Sequence, residues 1–390
     1  MRTIIPTLLT VGLLIFINPF ASTAQQAPAP SPVGQNYEAG TAPAYVAVGH
    51  LDGNENGADL VVSNQNSDNI SVLLNKGDGT FLAAANYAVG KLPTAVAIGD
   101  FSGLGRRDVA VALSGQDAVA LLYNKGKGEL QEPLKIPTVP APGSIAVADF
   151  NGDERDDLLI ASISQTQATL LLSKGDDDFD APQTLDLGYV PFFVTAADVN
   201  NDGKPDFITC PWQRSGPSQL GVYLGKGGGK FEEPQRFHAG QNAYQVAAGD
   251  FNADSKLDLV VANNFSRGAH VLLSSGGGSF QTATNYPIGD CGAVVTGDFN
   301  GDGWLDFAVT NSIAAQLTVM LGKGDGTFFP KQDFTVGRGP VMLAVGDFDR
   351  DGKRDLVTVN QTANNVTVVL GKSLEFTSAA TRPTIYLPES

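Results

Sequence analysis

The chain has 390 residues, 45 of them Gly, with 41 acidic against 25 basic side chains and a formal charge of −16. So acidic a surface argues against nucleic acid or anionic membrane as the partner, and the glycine excess points to many tight turns rather than to helices. With 42% hydrophobic residues the chain can bury a large core.

Residues 1–24 read as a signal peptide: Met1-Arg2, an apolar run from Ile4 to Phe20, and small residues Ser22-Thr23-Ala24 before a cut at Ala24/Gln25. The alternative is a membrane anchor. Pro6, Asn18 and Pro19 break the run, and no second run of spanning length follows, so cleavage and no membrane insertion are expected. The mature chain is then secreted, extracellular or periplasmic. Residues 25–35 form a Pro/Ala-rich linker.

From residue 36 to 378 one pattern recurs seven times, leaving 379–390 as a tail. Its first loop position falls at His50, Asp100, Asp149, Asp198, Asp250, Asp298 and Asp347, spaced by 48 to 52 residues. Each unit has four strand-like segments: a short one of small and branched residues, an apolar run such as Asp258-Leu-Val-Val-Ala, an alternating one such as Ile70-Ser-Val-Leu-Leu, and one like Asn86-Tyr-Ala-Val-Gly. The third closes on a Gly-rich hairpin, Lys76-Gly-Asp-Gly-Thr-Phe. Seven units of four antiparallel strands predict an all-β fold, a seven-bladed propeller. Because Asn36-Tyr-Glu-Ala-Gly40 matches the fourth segment, it is expected to supply the outer strand of the last blade and close the ring.

Between the first and second segments the consensus is Asp-x-Asn/Asp-x-Asp-Gly-x-x-Asp. Oxygens at positions 1, 3, 5 and 9 of a curled loop suit a hard cation such as Ca²⁺. Three loops are complete: Asp198, Asn200, Asp202, Asp206; Asp298, Asn300, Asp302, Asp306; and Asp347, Asp349, Asp351, Asp355. Two lack only the Gly: Asp149, Asn151, Asp153, Asp157 and Asp250, Asn252, Asp254, Asp258. Three to five structural Ca²⁺ sites are expected. The first loop, with His50, Asp52, Asn54 and Asp59, is one residue longer and is left open between cation loop and plain turn. The second has Ser102 and Leu104 where oxygens are needed, so Asp100 and Asp108 are expected only to hydrogen-bond the turn. An EF-hand is rejected, since position 12 is Thr209, Val309 or Thr358 rather than Glu. The rival to cation binding is metal-free Asx-turn chemistry. Charge opposes it, because 23 of the 41 acidic residues crowd into these seven loops.

The motif Tyr-x-x-Gly-x-x-Pro followed by Gly-Asp-Phe-Asn-Gly-Asp-Gly and Asp, with Gly40-Thr-Ala-Pro43, Gly90-Lys-Leu-Pro93, Gly188-Tyr-Val-Pro191 and Gly337-Arg-Gly-Pro340, resembles the FG-GAP and VCBS repeats. Units three, five and six depart from the Gly-x-x-Pro spacing. Similar repeats build integrin α-subunit propellers, some fungal lectins and many secreted bacterial proteins. The resemblance implies calcium on one face of the ring and ligand contact on the other, without fixing the ligand.

On the face opposite the Asp loops, Phe192, Phe193, Trp212, Arg214, Tyr244 and Phe265 are expected to form an aromatic patch, or else to pack between blades. Asn69, Asn264, Asn360 and Asn365 head Asn-x-Ser/Thr sequons. Cys210 and Cys291 lie two units apart and read as unpaired thiols or as one bridge. No nucleophile, zinc or phosphate-loop motif appears, and His50, His238 and His270 are scattered. The expectation is a non-catalytic extracellular binding or adhesion module for a protein or glycan. The alternatives are a calcium-stabilised lectin and, behind it, a polysaccharide-acting enzyme.

Overall fold

The computed structural model describes residues 34–54, 57–175, 178–212, 217–264 and 268–376. The expected signal peptide, nearly all of the linker and the tail lie outside the described residues. Seven four-stranded antiparallel sheets follow one another along the chain. In the first blade the order from the axis outward is Pro43–Gly49, Asp59–Asn64, Asn69–Leu73 and Ala85–Ala88. The pattern repeats through the innermost strands Pro93–Gly99, Pro142–Ala148, Pro191–Ala197, Ala243–Gly249, Val294–Gly297 and Pro340–Gly346. Neighbouring innermost strands touch in sequence order, and the last touches the first, so the ring is closed.

The sequence explains this radial order. The second strands, such as Asp157–Ser162 and Asp258–Asn263, are uninterrupted apolar runs and are buried along their whole length. Such runs suit strands covered on both faces. The outer strands, such as Ala85–Ala88, carry polar residues and are mostly exposed. The innermost strands are rich in Ala and Gly because strands crowd at the axis. They line a central cavity of about 520 Å³ whose wall includes Tyr45, Phe193, Gln245 and Met342.

The expected closure is observed. Gln35–Glu38 pairs antiparallel with Asn365–Val369 as the fourth strand of blade 7, with Tyr37 opposite Val366. Tyr37 meets Phe81 of blade 1 edge-to-face at 5.3 Å, and Phe81 meets Phe348 of blade 7 at 5.6 Å. Connections alternate along an antiparallel blade. The Asp loops and the hairpins after the third strands therefore share one face (the lower), and the turns between second and third strands share the other (the upper). Blade 7 departs from the pattern: a 3₁₀ turn, Gly371–Ser373, stands where the other blades have the hairpin. Among the described residues no helix is long and apolar enough to cross a membrane.

Candidate functional site

The loop of blade 6 shows how the consensus folds. Asp298 Oδ1 accepts from Gly301 N (2.7 Å) and Asp302 N (3.2 Å), and its Oδ2 accepts from Gly303 N (2.9 Å). Asn300 Oδ1 accepts from Asp302 N (3.0 Å), and Asp302 Oδ1 from Trp304 N (2.8 Å). The side chains at positions 1, 3 and 5 thus curl around one turn, each capped by amides further along. Asp149, Asn151 and Asp153 repeat all of these bonds, and Asp198, Asn200, Asp202 and Asp250, Asn252, Asp254 repeat all but the one from position 4.

Position 9 has a second role that sequence reasoning missed. Asp306, fully buried, accepts from Phe299 N (2.8 Å) and from Gly322 N (2.7 Å) at the end of the third strand. Asp157, Asp206, Asp258 and Asp355 make the same two bonds, as does Asp59 in the first loop, while Asp108 in the second accepts from Ser102 N at position 3 and from Asn124 N. This buried carboxylate staples the Asp loop to the strand beside it, whether or not the rest of the loop suits a cation. At Gly322 a Cβ would fall 2.2 Å from Leu305 O, so the close approach there needs glycine. Burial pushes Asp157 and Asp306 up to about 7, and Asp206 and Asp355 up to about 6, with the neighbouring loop carboxylates adding to the shift. An electropositive ion in the loop would relieve that crowding.

Blade 7 gathers its acids most closely. Ligand atoms of Asp347, Asp349 and Asp355 lie within 4.8 Å of one another, the one such acidic trio among the described residues. The other four consensus loops have Asn at position 3. Among the described residues Asp347 Oδ1 is buried without a hydrogen-bond partner, which together with an all-oxygen donor set fits a hard cation. Lys372, from the 3₁₀ turn, pairs with Asp349, whose side chain is 3% exposed. In blades 3, 4 and 5 the position-7 base pairs with the position-5 acid: Arg155 with Asp153, Lys204 with Asp202, Lys256 with Asp254.

In the first loop Asp52 Oδ1 accepts from Asn54 N (3.1 Å), and His50 is exposed. In the second, Asp100 accepts from Leu104 N and Gly105 N, while Arg107 pairs with Asp156 of blade 3. Neighbouring blades are clasped through these loops. Asn124 Nδ2 donates to Leu51 O, Ser173 Oγ to Phe101 O, Gly229 N to Phe150 O, Gly326 N to Phe251 O, and Asn75 Nδ2 to Phe348 O.

On the upper face Phe192 stacks on Trp212 at 4.9 Å and lies 4.3 Å from Tyr244 of blade 5. Trp212 is 42% exposed. Phe193 turns into the core instead, while Arg214 and Phe265 lie outside the described residues. The same face exposes Leu92, Ile163 and Ile313 on blades 2, 3 and 6. Asn360 is fully buried and donates to Asn365 and Thr367, which leaves that sequon no room for a glycan. His238 meets Gln219, and His270 meets Asn263. Cys210 and Cys291 are both buried and free, and burial raises both thiols, Cys291 to about 12.

The sequence model of the FG-GAP-like repeat matches residues 100–160, 149–209, 212–261, 250–309 and 298–358. Four of these windows run from one Asp loop through the next. Comparison with curated proteins finds no match. Among solved structures the chain is similar to an Agrocybe aegerita lectin described for specific recognition of non-reducing terminal N-acetylglucosamine (17% identity, 85% of this chain and 86% of that one, TM-score 0.53). It is also similar to BBS1N in complex with ARL6DN (11% identity, 86% and 95%, TM-score 0.59) and to a protein from Lactobacillus plantarum (14% identity, 77% and 86%, TM-score 0.53). At these identities the likeness is one of fold.

Proposed function

The chain belongs to the FG-GAP-like repeat family, and from that premise we propose that it is a secreted, calcium-stabilised propeller acting as a non-catalytic extracellular binding module. The loops of blades 3 to 7 hold Ca²⁺ through Asp149, Asn151, Asp153 and Asp157 and their counterparts up to Asp355. The upper face makes the contact. The observation that carries this reading is the division of the molecule: acids crowd the lower loops, while an exposed tryptophan in a three-ring cluster faces outward above. Large apolar rings left in water at one face mark a contact surface.

A second reading, a lectin, is favoured by the exposed face of Trp212, since sugar rings stack on such faces, and by the sugar named for the Agrocybe relative. The test is binding of the mature chain to a broad glycan array in millimolar calcium, with Trp212→Ala alongside. Specific binding lost in the variant supports the lectin. A blank array from folded protein favours a protein partner, sought by pull-down with the same variant as control. If the variant still captures the same partner, the upper-face site is wrong.

A further inference from the structure

Two of the five consensus Asp loops contain, at positions 3 and 4, a reactive dipeptide that the other three lack. Positions 3 and 4 are Asn151-Gly152 in blade 3 and Asn300-Gly301 in blade 6. In the other three consensus loops position 4 carries a side chain: Asn200-Asn201, Asn252-Ala253 and Asp349-Arg350. An asparagine followed by glycine is open to attack on its side-chain carbonyl by the next backbone nitrogen, because no Cβ hinders the approach. A Cβ built at Gly152 or Gly301 would meet nothing within 4 Å, so both turns stand open to water.

The loops also supply the groups such an attack needs. Gly152 N donates to Asp149 Oδ1 and Gly301 N to Asp298 Oδ1, both at 2.7 Å, so a carboxylate already holds the proton the nucleophile must lose. Asp153 N donates to Asn151 Oδ1 (2.9 Å) and Asp302 N to Asn300 Oδ1 (3.0 Å), where negative charge develops as the carbonyl becomes tetrahedral. The amide Nδ2 of Asn151 donates to Asp153 Oδ2 (2.8 Å) and that of Asn300 to Asp302 Oδ2 (3.1 Å), beside the group that must leave. In blades 4 and 5 the position-3 oxygen is held alike, by Asp202 N and Asp254 N, but neither Asn201 N nor Ala253 N donates to the position-1 carboxylate.

We propose that the Asp loops of blades 3 and 6 modify themselves, Asn151 and Asn300 deamidating through a succinimide to give each loop a fourth carboxylate. The Gly nitrogen forms a bond to the Asn side-chain carbonyl carbon. Its proton passes through the position-1 carboxylate to the leaving Nδ2, the carbon–Nδ2 bond breaks, and ammonia departs. Water then opens the ring at either carbonyl, giving aspartate or isoaspartate, with no oxidant or reductant required. The aspartate product reproduces the acidic set of blade 7, where Asp349 stands at position 3. The isoaspartate product lengthens the backbone by one carbon and distorts the turn. On the calcium reading above, a bound ion holds the position-3 oxygen and the position-1 carboxylate away from this chemistry, so metal-free protein ages faster.

The test is to incubate the full mature chain at mildly alkaline pH, with chelator or with calcium, and to follow peptide masses and isoaspartate content. In chelator, positions 151 and 300 should deamidate several-fold faster than Asn200 and Asn252. Gly152→Ala should stop the reaction at 151 while 300 continues in the same molecule as an internal control. Should that variant fold poorly, the comparison of 151 and 300 with 200 and 252 within the wild-type chain decides the matter. Equal rates at the four positions overturn the proposal. Fast reaction at 151 and 300 that calcium does not slow upholds the proposal and removes calcium protection, which counts against the cation reading of these loops.

Discussion

A carboxylate with both oxygens on backbone amides cannot become an amide without loss. In Asp306→Asn one acceptor turns into a donor facing either Phe299 N or Gly322 N, deep in the fold. The orphaned N–H costs about 1–3 kcal/mol. Asp302, partly buried, makes its bonds within the turn, so Asp302→Asn should cost no more than about 0.5 kcal/mol in chelator. If the loop holds calcium as proposed, adding it should change the order: Asp302→Asn should lose much of the cation's stabilisation, while Asp306→Asn should keep its deficit in both conditions. Urea unfolding of both variants, with and without chelator, separates staple from ligand. A normal midpoint for Asp306→Asn in chelator would falsify the staple. His270 offers a pH test. Its Nδ1–H donates to Asn263 Oδ1 at 2.8 Å, and burial lowers its proton affinity. The folded chain then binds fewer protons than the unfolded chain below about pH 6.5, so its contribution is present above that pH and is lost on acidification. Wild type should lose more stability between neutral pH and about pH 5 than His270→Asn does; parallel pH curves would dismiss the effect.

At the scale of elements, the four strands of each blade were legible because the residues that make them are local signals. Asp258–Asn263 is an unbroken apolar run, Asn69–Leu73 alternates, and Lys76-Gly-Asp-Gly spells a hairpin. The repeat then supplied the number of blades, and Tyr37 supplied the closing strand. What stayed hidden depends on pairs distant in sequence. The position-9 acids read as cation ligands because nothing local places Gly322 N beside Asp306 (that needs the pairing of second and third strands). Phe192 and Phe193 are adjacent and equally apolar, yet one reaches the upper-face cluster and the other the core, a choice made by the bulge between Pro191 and Phe193. Lys372 was invisible for the same reason: the departure of blade 7 from the hairpin motif brings a lysine onto Asp349. If that ammonium competes with a cation for the loop, Lys372→Met should tighten calcium binding at blade 7 several-fold in titration calorimetry. Weaker binding would mean that the ammonium organises the loop instead.

In the whole molecule, the ring makes local changes global. Removing residues 34–38 strips the outer strand from Asn365–Val369 and leaves an unpaired edge beside blade 1. Such an edge invites another chain, so the truncated protein should melt earlier and associate in solution; a monomer of unchanged midpoint would show that the ring needs no closing strand. On the proposed function, calcium would act on the same closure from the lower face. If each loop binds with Kd of about 0.1 mM, about 1 mM calcium adds roughly 1.4 kcal/mol per site, and five sites add roughly 7 kcal/mol, as much as a domain's whole net stability. The clasps decide how that energy is felt. The carbonyl at position 2 of one loop is bonded by the next blade, as Asn124 holds Leu51 O and Asn75 holds Phe348 O, so a loop that loosens releases its neighbour as well. Chelation should therefore lower the melting temperature as one cooperative transition rather than shed blades singly. The buried thiols of Cys210 and Cys291, in blades 4 and 6, should become reactive together in that transition. Calorimetry in chelator, with thiol labelling followed across the same temperature range, checks both parts. An unchanged midpoint would remove calcium from the account, and separate labelling temperatures for the two cysteines would show that the blades open independently.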